Sequence, residues 1–439
     1  MLIALILFVI TYILMLVLTK YRPWIALSSA LIFIILGYAG LFELDIFSAL
    51  KAVDYNVLLM IGGTMGIVSL FIESKMPARL AEMLISKVSS VKWAVCILAL
   101  FAGFISAFVD NVATVLMVAP IGLAISQKLK ISPVPVLISI AVSSNLQGAA
   151  TLVGDTTSIL LGGFADMNFF DFFWMHGKPG IFWGVELSAL MSLFILLWLF
   201  RKENQPIKAE VETEVTDYFP SYLLIGVVVM LILASFIPEP SEGALQTLYS
   251  LRSGMVCLVI CIIGIVRACI KNRSFDTVKK VISDLDADTL LLLFGLFIVI
   301  EGIKAAGVID AISELFYKIS GDNYFLLYTI IVFFSVILSA FIDNIPYVAT
   351  MLPVVQGISG MMNGGAGVEP YIFYFGLLIG ATLGGNLTPI GASANIAAIG
   401  ILRKNGYEVK NKDFLRIGVP FTLVAVLTGY VYLWLVWGI

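Results

Sequence analysis

Histidine is nearly absent from this chain: the single one, His176, falls in a loop stretch, so a histidine-based metal centre or general base is not expected. Cysteine is scarce too. Cys96, Cys257, Cys261 and Cys269 all lie in apolar runs and read as small buried hydrophobes rather than a disulfide framework. Cys257 and Cys261 share a helical face, but no third ligand nearby completes a soft-metal site. Charge is the third shortage, at 13% of residues, where an ordinary soluble domain carries about 25%. The net charge is −3 and no basic tract occurs, which excludes nucleic acid as an expected partner. There is no GxxxxGK loop, no nucleophile–base constellation and no run of metal ligands, so the chain does not read as an enzyme and implies no organic cofactor.

What the chain has is long apolar stretches. Of its 439 residues 60% are hydrophobic, and the mean hydropathy is +1.05. A stretch of about twenty residues spans a hydrocarbon core about 30 Å thick, which makes this a polytopic all-α membrane protein whose main environment is the lipid bilayer. Ten crossing segments are expected, with cores near 2–18, 24–41, 57–72, 133–164, 181–200, 222–237, 254–270, 289–305, 371–402 and 417–437. The opening MLIALILFVI has no basic start and no cleavage pattern after it, so it reads as the first membrane helix. Residues 76–89 and 308–320 mix charge and apolar residues at helical spacing and suit helices lying along the interface. Glu301 and Lys304 suit an interfacial i,i+3 pair.

Two further apolar stretches, 91–129 and 324–358, are each interrupted by an Asp-Asn pair. Each is either two crossings or one hairpin that enters and returns. Loop charges fix the orientation without deciding between these. With the first residue outside, only Lys51, Lys178, Arg252, Lys304 and Lys318 lie outside; the other 21 of the 26 basic residues, Arg22 among them, lie on the side that becomes cytoplasmic. Both termini are then outside the membrane of the cell.

The chain repeats itself. Residues 106–120 and 339–353 match at 7 of 15 positions at an offset of 233, sharing SAF, DN, a valine and a proline, and Gly62 falls on Gly295. A second pair, TLVGDTTS (151–158) and TPIGASAN (388–395), aligns Thr151 with Thr388 and Gly154 with Gly391 at an offset of 237. Both sit midway through apolar stretches too long for one straight crossing, so each reads as a helix broken at its centre. The polar stretch 201–220 reads as a solvated cytoplasmic linker between two halves, 1–200 and 221–439. Each half then holds five crossings, one interrupted segment (91–129 or 324–358) and a broken helix (133–164 or 371–402). Odd parity puts the second half upside down, the inverted repeat of secondary transporters with sites at broken helices near the midplane.

An ionised carboxylate in hydrocarbon costs several kcal/mol unless paired, hydrated or neutralised. Asp110 and Asp343 would each precede a new helix, whose free N–H groups and positive dipole end suit an anion. Candidate ligands around them are Asn111, Thr114, Asn344, Asn145, Thr151, Gly154, Asn386, Thr388, Gly391, Ser393 and Asn395. Carboxylate, amide, hydroxyl and carbonyl oxygens suit a hard cation, with Na+ placed at Asp110, Asn111, Asp343 and Asn344. An aspartate withdrawn from water can also carry a proton. Asp155, whose repeat mate is Ala392, is either a proton or substrate group or a cap for the half-helix from Thr156.

These motifs, FVDNVATVLMVAPI (108–121), TLVGD (151–155), SAFIDNIPYVATMLPVV (339–355), NLTPIGASANI (386–396) and GYEVKNKDFLRIGVPFTLV (406–424), resemble the ion transporter superfamily. The branch is that of arsenite permeases, NhaD-type sodium/proton antiporters and the melanosomal P protein, and the likeness runs over nearly the whole chain. It implies two re-entrant hairpins with tips at Asp110–Asn111 and Asp343–Asn344, unwound centres in the fourth and ninth crossing helices, a homodimer, and a part of each protomer that moves as an elevator. Where many relatives follow the GD with two prolines and an asparagine, this chain has Thr156, Thr157 and Ser158. Divalent anion/sodium symporters, more distant relatives, carry Ser-Asn-Thr at the tips; acidic tips would repel a di- or trianion unless protons or sodium bind first. The function read from the sequence is secondary transport of a small ion or molecule coupled to Na+ or H+, most concretely Na+/H+ exchange. Arsenite or antimonite efflux and citrate uptake are the alternatives, and a channel is the alternative of another class.

Overall fold

The computed structural model describes residues 1–128, 131–207, 211–240 and 243–438. The first half runs α1 (Leu2–Val17), α2 (Arg22–Tyr38), α3 (Ile46–Lys51), α4 (Tyr55–Glu73), α5 (Met76–Ile85), α6 (Val91–Ser106), α7 (Asn111–Lys128), α8 (Pro133–Gly148), α9 (Thr156–Phe164) and α10 (Ile181–Leu199). The second runs α11 (Phe219–Ala234), α12 (Ala244–Ser250), α13 (Arg252–Asn272), α14 (Asp276–Asp284), α15 (Ala287–Ala305) and α16 (Val308–Ser320). It continues with α17 (Tyr324–Ser339), α18 (Asn344–Met361), α19 (Tyr371–Gly384), α20 (Ser393–Lys404) and α21 (Asn411–Trp437). Apart from α12, the second series reproduces the first element for element. Among the described residues the β-structure is a two-residue hairpin, Trp174–Met175 with Lys178–Pro179, and one isolated bridge.

The same local chemistry starts and bends matching helices. Asp54 caps α4 by accepting from Val57 N at 3.0 Å, and Asp286 caps α15 by accepting from Thr289 N at 3.0 Å. A left-handed residue turns each chain into the next helix: Lys75 (φ 60°) before α5 and Gly307 (φ 73°) before α16. The turn at Gly307 bends α16 away from α15 by 72°. The helix expected over 76–89 ends four residues early, at Ile85, and Lys304 lies 3.7 Å from Glu301. Among the described residues six helices are long and apolar enough to cross a membrane alone, α4, α7, α10, α13 and α21 among them. Other expected crossings, such as α1 and α11, are apolar but shorter.

The halves pack across one another. α4 lies on α13 and α2 on α15, each pair joined by glycine. A Cβ on Gly63 would sit 2.6 Å from the carbonyl carbon of Cys257, and one on Gly295 would sit 2.7 Å from that of Ala26. Backbones therefore touch with no side chain between them, and Gly63, not the Gly62 that the sequence repeat aligns, is the structural mate of Gly295. Two turns on, Gly264 meets Leu70 and Gly302 meets Phe33. These helices, with α1 and α11, form one body. A second comprises α6 to α10 and α17 to α21, in which α6 packs on α8, α17 on α19 and α10 on α21. α5 and α16 bridge the two bodies, α5 against α7 and α16 against α18. Large apolar side chains such as Trp24, Ile35, Ile263 and Leu435 cover the outside, as a lipid-facing surface requires.

The polar linker is tied to the helices beside it. It is largely exposed, but it is not a free tether. Glu82 on α5 accepts from Glu212 N at 3.0 Å and Thr213 N at 2.8 Å, and Val91 N donates to Gln205 O at 3.1 Å. Asp217 is hydrogen-bonded to Arg267 and lies 3.0 Å from Lys271, at the end of α13. Partial burial alone would raise the Asp217 carboxyl; these two cations and the Phe219 amide outweigh it and hold it near 2.

Candidate functional site

Both hairpins end the same way. α6 stops at Ser106 and α7 starts at Asn111; α17 stops at Ser339 and α18 starts at Asn344. Asp110 Oδ2 accepts from Val112 N at 2.9 Å and Ala113 N at 3.1 Å, so it caps α7. Asp343 Oδ1 accepts from Ile345 N at 3.2 Å, a looser cap. Its other oxygen takes Arg22 Nη1 at 2.7 Å and Ser393 Oγ at 3.4 Å. Arg22, counted above with the cytoplasmic loop charges, is thus an ion-pair partner of a hairpin tip. Loop position and a positive charge gave no signal of that.

The broken helices face these tips. α8 and α9 are separated by residues 149–155, and α19 and α20 by 385–392. Gly154 is wedged where a Cβ would meet Gly148 O at 2.5 Å, Ser106 O at 2.7 Å and Ala107 O at 2.8 Å. Its mate Gly391 would meet Gly385 O at 2.6 Å and Ala340 O at 2.9 Å. Only a residue without a side chain lets each break press against its own hairpin. The hydroxyls of Thr151 and Thr388 bond the same two carbonyls, of Ala107 and Ala340, and so serve as fasteners in this arrangement. Thr114 likewise donates to Val109 O at 3.3 Å.

A network of amides joins the halves. Asn111 Nδ2 donates to Asn145 Oδ1 at 3.0 Å. Asn145 Nδ2 donates to Thr382 O at 2.6 Å and to Asn386 Oδ1 at 3.1 Å, and Asn386 Nδ2 returns to Val142 O at 2.9 Å. Asn344 Nδ2 reaches Asp155 Oδ2 at 3.4 Å, and the same oxygen accepts from Thr157 Oγ1 at 2.9 Å. Thr157 continues to Thr382 Oγ1 at 3.1 Å. Both tips therefore converge on one buried polar centre. Asp155 precedes α9 but makes no capping bond to it; its carboxylate points to Thr157 and Asn344 instead.

Asp110 and Asp155 border one small cavity with Thr64, Thr156 and four apolar side chains, leaving about 10 Å3, roughly enough for one water-sized occupant. Ser106 Oγ and Asn395 Oδ1 are buried without a hydrogen-bond partner among the described residues. Asn395 Nδ2 is committed to Gly385 O at 3.1 Å and Thr388 O at 3.2 Å. No three His, Cys, Asp or Glu side chains gather as a metal cluster among the described residues. The oxygens on offer are mostly neutral amides, hydroxyls and carbonyls, a set for a monovalent cation or a proton rather than a divalent ion.

Thr64, Thr157, Thr382 and Arg22 were absent from the residues singled out by sequence. Thr157 stands in the run where the chain departs from its relatives, and that departure was the available signal. Thr382 and Thr64 enter through helix packing, which no local pattern displays.

The family model of the citrate transporter (CitMHS) matches residues 5–375. A chain named an uncharacterized transporter, Rv2685 of Mycobacterium tuberculosis, is 32% identical over 419 residues, covering 94% of this chain and 93% of its own. The human P protein is 27% identical over 450 residues, covering 87% of this chain and 53% of its own. In fold, the chain is similar to the YdaH transporter of Alcanivorax borkumensis at a TM-score of 0.62 and 13% identity, covering 96% and 98% of the two chains. It is similar also to MtrF of Neisseria gonorrhoeae, at 0.56 and 15%, covering 87% and 81%. The resemblance drawn from the DN and TLVGD motifs is supported by these likenesses. This integral membrane protein, with its paired hairpins and broken helices, belongs to the citrate transporter family of secondary transporters.

Proposed function

We propose that this chain exchanges Na+ for H+ by an elevator movement, the body holding both hairpins and both broken helices sliding past the body built on α2, α4, α13 and α15. The observation that carries the coupling is the cavity shared by Asp110 and Asp155. Two carboxylates on one small space cannot both stay charged and empty in a low-dielectric setting; a cation or a proton relieves the repulsion, and each excludes the other. Competition for one site is the minimum device for exchange. The division into two bodies bridged by α5 and α16 supports the movement, and alternate exposure of a midplane site fits the paired elements. Proteoliposomes with a sodium gradient should show proton movement that Asp110→Asn or Asp343→Asn abolishes. Unchanged transport in both variants ends this reading.

The family description favours citrate as a second reading. An anion there would meet two buried aspartates, Asp155 and Asp343, and the half-buried Asp110, and Arg22 is already paired with Asp343. Protons or cations would have to bind first. A flux panel of sodium, lithium, arsenite and citrate with a pH readout separates these cargoes, and ohmic single-channel conductance would show a channel instead.

A further inference from the structure

The two bodies touch unevenly. The hairpin of α17 and α18 is docked on the elbow between α1 and α2: Tyr12 Oη donates to Pro346 O at 2.6 Å and bonds Thr350 Oγ1, while Arg22 holds Asp343 at 2.7 Å. Arg22 is itself held by its Nε, which donates to Met15 O at 3.1 Å. Asp110, the mate of Asp343, makes no ion pair among the described residues.

The helix that matches α2 is α13, and it also starts with arginine. Gly295 meets Ala26 and Leu27, whereas Gly63 meets Cys257 and Leu258, so α13 follows α2 by 257 − 26 = 231 residues. The position matching Arg22 is 253, and Arg252 stands one residue ahead of it, within reach of a long side chain. Here Arg252 is stacked on Tyr249, 3.9 Å from the ring centre, and borders a cleft of about 700 Å3. The two arginines sit at opposite ends of their body. α2 runs parallel to α15, α4 parallel to α13, and the start of α4 lies beside the end of α15, where Ala52 and Asp54 share a cavity with Glu301 and Lys304.

We propose that Arg22 and Arg252 are alternate counter-ions for the two hairpin tips. Arg22 holds Asp343 in the arrangement seen here. Arg252 leaves Tyr249 and holds Asp110 when the hairpin body has moved to the other end of its travel. Whichever tip reaches an end of the static body would otherwise press an unpaired carboxylate against apolar helices, which is strongly unfavourable in a low-dielectric setting. The inference rests on the elevator reading and adds to it two positioning residues.

The test uses the full chain in membranes, with Tyr12→Cys and Thr350→Cys as a reporter of docking and Cys269→Ser as background, since Cys96, Cys257 and Cys261 are buried from reagents. The rate of bridging by a short bifunctional thiol reagent measures the docked population. Arg22→Gln should lower it and Arg252→Gln should raise it, each by roughly fivefold or more, as a coupling of ordinary size does. Arg22→Lys and Arg252→Lys should restore much of each effect, which a purely structural role would not. A biphasic reaction with the arginines intact shows two hairpin positions. A single phase to completion removes the elevator reading and this inference with it. Two phases with a rate that Arg252→Gln leaves unchanged or lowers overturn the alternation alone.

Discussion

Replacing Asn145 by alanine is the sharpest test of how the halves are joined. Asn145 is fully buried and makes three bonds: one accepted from Asn111, and one donated to each of Thr382 O and Asn386 Oδ1. Hydrogen bonds between helices in membranes are worth about 0.6 kcal/mol each by double-mutant cycles, so three give about 2 kcal/mol. The truncation also strands the Asn111 amide and two acceptors in a dry interior, and a buried group left unpaired costs about 1–3 kcal/mol. Water entering the vacated space offsets part of this. The expected loss is about 2–4 kcal/mol, read from equilibrium unfolding in mixed detergent–SDS micelles. The cycle with Asn386→Ala should return a coupling of about 0.6–1.7 kcal/mol. A loss under about 1 kcal/mol with no coupling would refute the claim that these amides tie one half to the other.

Gly154→Ala forces a Cβ to within 2.8 Å of three backbone oxygens that cannot swing aside, and it should reduce transport at least tenfold in a flux assay. Gly62→Ala, where nothing lies within 4 Å, should leave folding and transport unchanged. The Asp217 anchor predicts a pH dependence. Its carboxyl is held near 2 from an ordinary 3.8, so its contribution to holding the linker is present above about pH 4 and is lost as pH falls through about 2. The carboxyl is only partly buried, so the effect is modest and weakened by salt. Proteolysis of the 201–220 segment by an acid-active protease should accelerate across that window in the native chain and show no such step in Asp217→Asn.

The hairpins and breaks were legible because each is a violation. An aspartate in an apolar run, or a glycine midway through 32 apolar residues, has few physical excuses, and its repetition removes most of them. Cross-half partners had no such mark. Asn145 and Asn386 were picked out from composition near the breaks, yet their mutual bond joins residues 241 positions apart and depends on how two helices cross. Arg22 shows what a count of loop charges leaves out. Loop-charge counting treats every basic residue near a helix end as facing water, and it has no means of noticing that an acidic tip comes to meet one. The exposure of the linker is legible in its polarity, but the backbone amides of 212 and 213 that bind Glu82 are not.

The glycine contacts of Gly63 and Gly295 bear on biosynthesis. α2 and α4 leave the ribosome long before α15 and α13, the helices against which their backbones lie. The first half must therefore wait in the bilayer with two bare backbone grooves, filled by lipid, until the second half is inserted. Neither half assembles the body built on α2, α4, α13 and α15 by itself. Two halves made as separate polypeptides, divided in the 201–220 segment, would each remain incomplete until they meet in the membrane.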